Sequence, residues 1–208
     1  MKKWLSFAWV TAVVLVFSAM AAAGTTVTGP TGLLTIPTAD VLLQGELSFG
    51  YHLRNGEGIG NISYGLLPGA EIGLLTAGPG HSDFGVHGKV VLSREGSSLP
   101  GVAVGLCDDS FYMVASKRLA GVGVRGHVGV GTGHYDGLFL GVSKMLNSVV
   151  VDSGPKGFAA PAALLAVEYV KGSFNLGVDV LLSPAVRIKA AVEDFDDLTL
   201  GVNFKIAI

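Results

Sequence analysis

LTLGVNFKIAI, residues Leu198 to Ile208, alternates without interruption. Leu198, Leu200, Val202, Phe204, Ile206 and Ile208 share one parity, while Thr199, Gly201, Asn203, Lys205 and Ala207 share the other. Successive side chains of a strand point to opposite faces, so the stretch has one continuous apolar face and one small or polar face. An apolar ribbon of this kind at a chain terminus must meet something apolar.

The pattern recurs upstream. Leu47, Phe49, Tyr51 and Leu53 oppose Glu46, Ser48, Gly50, His52 and Arg54. Phe84, Val86, Val90 and Leu92 oppose Gly85, His87, Lys89 and Ser93, and Phe174, Leu176, Val178, Val180 and Leu182 oppose Ser173, Asn175, Gly177 and Asp179. The alternation predicts about twelve strands, with ten or fourteen as the alternatives. They fall near residues 46–54, 59–66, 69–76, 83–93, 99–107, 110–118, 121–131, 137–145, 162–171, 173–182, 185–193 and 198–207. Each is close to the roughly ten residues that a tilted strand needs to cross a bilayer. Asn55-Gly56, Pro68-Gly69, Ala120-Gly121, Gly172-Ser173 and Ser183-Pro184 supply turn chemistry between them, so neighbours should pair antiparallel as a meander. Residues 146–161 are too long for a tight turn and hold either a loop or a further short strand pair.

Composition bears on which way the apolar faces look. The 208 residues are 50% hydrophobic and 14% charged, with a mean hydropathy of +0.56, against about 25% charged in an ordinary soluble domain. Only the N-terminus holds a run long and apolar enough for a membrane helix. That run begins with Lys2 and Lys3 and ends with Ala21 and Ala23 in A-x-A spacing, which reads as a secretory signal in residues 1–23 that is cleaved. Its removal takes two of the 14 basic residues and none of the 16 acidic ones, moving the formal charge from −2 to −4. No basic stripe points to nucleic acid, and the single Cys107 cannot form an intramolecular disulfide.

A soluble sandwich or lipocalin-like barrel would turn the apolar parity inward and a water-loving parity outward. Here the second parity is largely Gly, Ala and Ser with scattered ions, a poor solvent face but a good lining for a narrow barrel. The expected fold is therefore all-β, a closed antiparallel up-and-down transmembrane barrel over residues 46–208. In such a barrel the terminal strand is regular because it is the closing strand. Residues 24–45 precede it as a plug or a periplasmic tail; partial insertion is favoured because Leu33, Leu34 and Ile36 sit poorly in water.

The expected lumen-facing polar set is Arg125, His127, Glu168, Asp179, Arg187, Lys189, Glu193 and Lys205. The plainer reading of these residues is an internal network in which buried charges pair with one another; the functional one is a narrow aqueous passage. Gly121, Gly123 and Gly126 form a literal G-x-G-x-x-G, but no helix follows to offer amides to a pyrophosphate, so no cofactor is expected. His81-Ser82-Asp83 and His134-Tyr135-Asp136 bring together hydrolytic residue types at one rim, where Asp108, Asp109, Asp194, Asp196 and Asp197 also fall. Short loops give little with which to build a pocket, so solvated turns and no enzyme are expected. Both tryptophans lie in the signal, leaving Tyr51, Tyr64, Tyr112, Tyr135 and Tyr169 to serve at the membrane interfaces.

Thr199, Gly201, Phe204 and Ile206 resemble the C-terminal recognition signal of outer-membrane barrels, with Ile208 in place of the more typical terminal aromatic. That resemblance implies the barrel assembly machinery as a partner. TGLLTIPTADVLLQGELSFGYH, DGLFLGVSKMLN and VEYVKGSFNLGVDVLLSP resemble strand-turn units of the YjbH-like outer-membrane proteins, although this chain is far shorter than the large members. The likeness implies a diderm outer membrane and a barrel connected with exopolysaccharide export, with polysaccharide or other envelope proteins as partners. The alternatives are a structural or adhesive surface barrel without transport, or a membrane-embedded hydrolase or acyltransferase.

Overall fold

A computed structural model describes residues 24–76, 84–121, 123–146 and 161–208. The signal, His81-Ser82-Asp83 and most of the 146–161 connection fall outside the described residues.

Among the described residues twelve strands form one sheet. They are β1 (Glu46–Arg54), β2 (Glu57–Leu67), β3 (Ala70–Thr76), β4 (Phe84–Ser93), β5 (Gly101–Cys107) and β6 (Ser110–Leu119), then β7 (Val124–Gly131), β8 (Gly137–Leu146), β9 (Ala162–Val170), β10 (Ser173–Ser183), β11 (Val186–Glu193) and β12 (Asp197–Ala207). Each pairs antiparallel with its sequence neighbours, and β1 closes on β12 from Glu46 opposite Ala207 to Arg54 opposite Thr199. Closure removes the unpaired edge that would leave backbone amides without partners in hydrocarbon at several kcal/mol each. The terminal strand is thus hydrogen-bonded on both sides, to β1 and to β11. No helix of the described residues is long and apolar enough to cross a membrane; among them a 3-10 turn, Gly133–Tyr135, lies between β7 and β8.

Local chemistry sets the corners. Asn55 and Gly56 both have positive φ, 52° and 82°, as do Lys171 and Gly172, the geometry of the primed two-residue turns that suit strand twist. Register shifts at Gly65/Leu67, Val91/Ser93 and Leu181/Ser183 all lie at the end of the barrel where β1 begins and β12 ends.

The apolar parity faces outward. Phe204 is 49% exposed and Ile188 45%, alongside exposed Phe49, Ile72, Val86 and Met113 on other strands. Such a belt is stable only in an apolar medium, and the molecule is a transmembrane barrel. Two of the tyrosines expected at the interfaces are inside instead. Tyr112 shares its parity with Ser110, Val114 and Ser116, and it meets Tyr135 edge-on at 5.0 Å between ring centroids. Phe139 packs against Tyr135, and together with Ala103, Val114 and Ala166 they make one inner wall apolar. Gly121 and Gly123, with φ of 81° and 67°, belong to the β6–β7 turn and precede β7, so the G-x-G-x-x-G is a corner followed by a strand.

Candidate functional site

The inner face of the barrel also carries ions. Alternation directs Glu71 of β3, Lys89 of β4, Glu168 of β9 and Lys189 of β11 to the barrel axis, where each is at most 1% exposed. Their partners lie mainly in residues 24–45, which run inside the barrel, with Thr25, Thr26, Thr31, Leu33, Leu34 and Ile36 buried. This segment first makes bonds of its own, Val27 N–H to Leu34 O (3.0 Å) and Thr38 N–H to Thr31 O (3.2 Å).

The remaining main-chain groups of the segment meet the wall. Glu168 accepts from the N–H of Leu34 (2.6 Å), Thr35 (3.0 Å) and Ile36 (3.4 Å) and from the Thr35 hydroxyl (2.7 Å). Glu71 accepts from the N–H of Thr31 (2.8 Å) and Leu42 (2.9 Å) and lies 3.2 Å from Lys89. Lys89 donates to Thr31 O (2.6 Å) and Thr38 O (3.2 Å), and Lys189 to Thr25 O (2.6 Å) and to Leu33 O. Asn61 donates to Val27 O at 3.0 Å, Ser63 to Gly29 O at 2.8 Å, and Asn203 to the Thr25 hydroxyl at 2.7 Å. Buried ions are tolerated only when their lone pairs and protons are met, and here the segment meets most of them.

Other residues of the expected lumen set find partners on the wall, and Arg125 bridges the wall and the segment. Asp179 and Arg187 pair at 3.3 Å, Lys205 pairs with Glu46 at 3.0 Å, and Glu193 holds Arg54 and accepts from the Thr199 hydroxyl at 2.7 Å. His127 sits between the Ser116 hydroxyl (2.8 Å) and the Ser143 hydroxyl (3.1 Å). Arg125 makes a two-pronged contact with Asp40 and donates from Nε to Glu95 at 2.9 Å. Burial would raise the Asp40 carboxyl, but the hydrogen bonds and charge of Arg125 outweigh it and hold the group below the usual carboxylate range. On β12, Thr199 faces inward and Gly201 lies against the His52 ring, while Phe204 and Ile206 face outward.

Sequence reasoning passed over Glu71 and Asp40, and it noted Glu46, Lys89 and His87 only for their parity. Polar residues on the inward parity were the available signal; the Thr-rich run of residues 24–45, with six threonines, was another.

The rim where β5 ends and β8 begins carries the β5–β6 and β7–β8 turns. His134 and Asp136 are exposed while Tyr135 between them is buried, so these three do not form a relay. Asp108, Asp109 and His134 bring ligand atoms within 4.8 Å of one another, all solvent-exposed. At the opposite end, a cavity of about 530 Å³ opens between the N-terminal segment and the wall. Asp40, Leu43, Val91, Arg94, Arg118 and Arg125 are among its lining residues.

No family model matches the sequence, and no curated protein is similar to it in sequence. Among solved structures the chain is similar to the KdgM porin in complex with disordered oligogalacturonate, at 10% identity and a TM-score of 0.47 over 76% of this chain and 98% of that one. It is also similar to the outer membrane protein Omp33 of Acinetobacter baumannii, at 12% identity and a TM-score of 0.47 over 80% of this chain and 98% of that one. A triple mutant of the Rh. blastica porin matches at 11% identity and a TM-score of 0.33, over 72% of this chain and 55% of that one. The closed strand register and the apolar belt themselves define the class, a small transmembrane β-barrel.

Proposed function

We propose that the chain is a small, non-enzymatic outer-membrane barrel, exported by a signal in residues 1–23 and folded by the barrel assembly machinery through Thr199, Gly201, Phe204 and Ile206. Its lumen is closed at rest by residues 24–45. One observation carries this reading: four ionisable side chains inside a closed barrel direct their bonds to that one segment. A barrel that had only to be filled would do so with apolar side chains, since burying an ion costs several kcal/mol before its bonds offset it. Ions that lose a protein partner in a lumen can take water instead, so a polar contact can open where an apolar one resists. The lumen then serves envelope function, and export of exopolysaccharide is the finer form of this proposal that the YjbH-like resemblance supports.

A protease site inserted between Leu43 and Gln44, both exposed, cuts the segment free after folding. Intact barrels in a planar bilayer should be silent, and cut ones should show single-channel steps. A cut barrel that stays silent would favour the second reading, a structural or adhesive barrel without transport, which the apolar cluster around Tyr112, Tyr135 and Phe139 suits. A deletion strain scored for secreted polysaccharide separates export from the surface role.

A further inference from the structure

The cavity at the end where β1 begins and β12 ends is lined by charges of both signs. Arg94, Arg118, Arg125 and Lys205 line it against Asp40, Glu46 and Glu95. Lys205 is taken by Glu46 at 3.0 Å, and Arg125 is shared by Asp40 and Glu95. Arg94 and Arg118 are solvent-exposed, and their guanidinium groups have no hydrogen-bond or ion-pair partner among the described residues. Two unmatched guanidinium groups thus stand in one basin with a third that already grips a carboxylate with two prongs.

The two carboxylates on Arg125 are held differently. Glu95 is fixed to the wall, accepting from the Arg118 N–H as well as from Arg125, and Lys117 pins its loop by donating to Gly96 O (2.6 Å) and Ser97 O (2.8 Å). Asp40 belongs to the N-terminal segment, and its further contacts, the Thr38 hydroxyl at 2.9 Å and the Thr31 hydroxyl on its carbonyl, lie within that same segment. Arg125 to Asp40 is therefore a bond between wall and segment that an outside oxyanion can replace without disturbing the wall.

We propose that this basin binds a small molecule bearing phosphate or carboxylate groups, and that the bound oxyanion takes the place of Asp40 on Arg125 and releases the N-terminal segment. At about 530 Å³ the space is that of a small-ligand site. The planar two-pronged fork of arginine suits phosphate and carboxylate alike. Val41, Leu43, Pro68 and Val91 give the basin an apolar side, so the ligand carries a short apolar body. This deepens the reading of residues 24–45 as a closure and rests on it.

The chain contains its own reporter. Cys107, the single cysteine, is 1% exposed and its sulfur lies 3.9 Å from Thr28 O, beneath the segment. Calorimetric titration of the full-length barrel in detergent with pyrophosphate, and separately with citrate, distinguishes the two oxyanion sources. At least one should bind, and Arg94→Gln with Arg118→Gln should weaken that binding at least tenfold. At saturation the same anion should speed maleimide labelling of Cys107 at least tenfold. Absence of binding by either anion, or binding indifferent to the two arginines, overturns the site while leaving the closure to its own conductance test. Arginine-dependent binding with unchanged Cys107 labelling overturns the release step.

Discussion

Glu168→Ala removes the acceptor of four hydrogen bonds from the buried segment, three of them from consecutive main-chain N–H groups. Hydrogen bonds to a charged group contribute about 1.5–3 kcal/mol each, and their effects do not sum. Breaking a buried ionic arrangement by removing one partner costs about 3–5 kcal/mol, and here the loss leaves Leu34, Thr35 and Ile36 with unmet amides. At about 1.4 kcal/mol per tenfold, the population with the segment displaced should rise between about a hundredfold and several thousandfold. Cys107 reads that population, because labelling follows the open fraction when reclosing outpaces the reagent. Maleimide labelling in detergent, beside gel mobility with and without heating to show that the barrel is intact, measures it. Glu168→Gln, which keeps the shape and one acceptor oxygen, should lie between wild type and Glu168→Ala. A folded Glu168→Ala barrel whose Cys107 reacts less than tenfold faster than wild type would refute the reasoning, since the carboxylate would then not be holding the segment.

Three further outcomes follow from the same geometry. Asp40 is held below its usual range, so its contribution to seating the segment is present above the unfolded value of about 4 and fades as pH falls through the lowered native one. Conductance titrated downward from pH 6 should show openings appearing at low pH in wild type, with Asp40→Asn already partly open at pH 6. Gly65→Ala would bring its Cβ to 1.9 Å from Leu43 O and should loosen the segment's exit, whereas Gly88→Ala, whose nearest neighbour is 3.8 Å away, should leave Cys107 labelling unchanged. Val142→Arg, on the outward face midway along β8, should reduce the free energy of folding into bilayers by about 2–4 kcal/mol in a denaturant titration.

How far the sequence reached depended on which environment imposed the pattern. Lipid requires every outward residue to be apolar, a demand made residue by residue along each strand, so Phe204, Ile188 and Leu176 announced their face and the twelve strands with it. The interior makes no such uniform demand. Tyr112 and Phe139 lie on the inward parity but have side chains that suit lipid equally well, and only the wall they share with Tyr135 explains them. Nor does alternation say what a buried ion bonds to. Glu168 and Leu34 are 134 residues apart, and the N–H that Glu168 receives is a main-chain group carried by every residue but proline, so no side-chain pattern marks the pair. The hydroxyls of Thr25, Thr31 and Thr35, which meet Asn203, Glu71 and Glu168, were the one legible trace of the contact. Strand parity therefore located the ions of the lumen, while the partner that satisfies them is fixed by three-dimensional closure. In a barrel of this size, whether a lumen is open or shut is decided by the chain that enters it more than by the residues that line it.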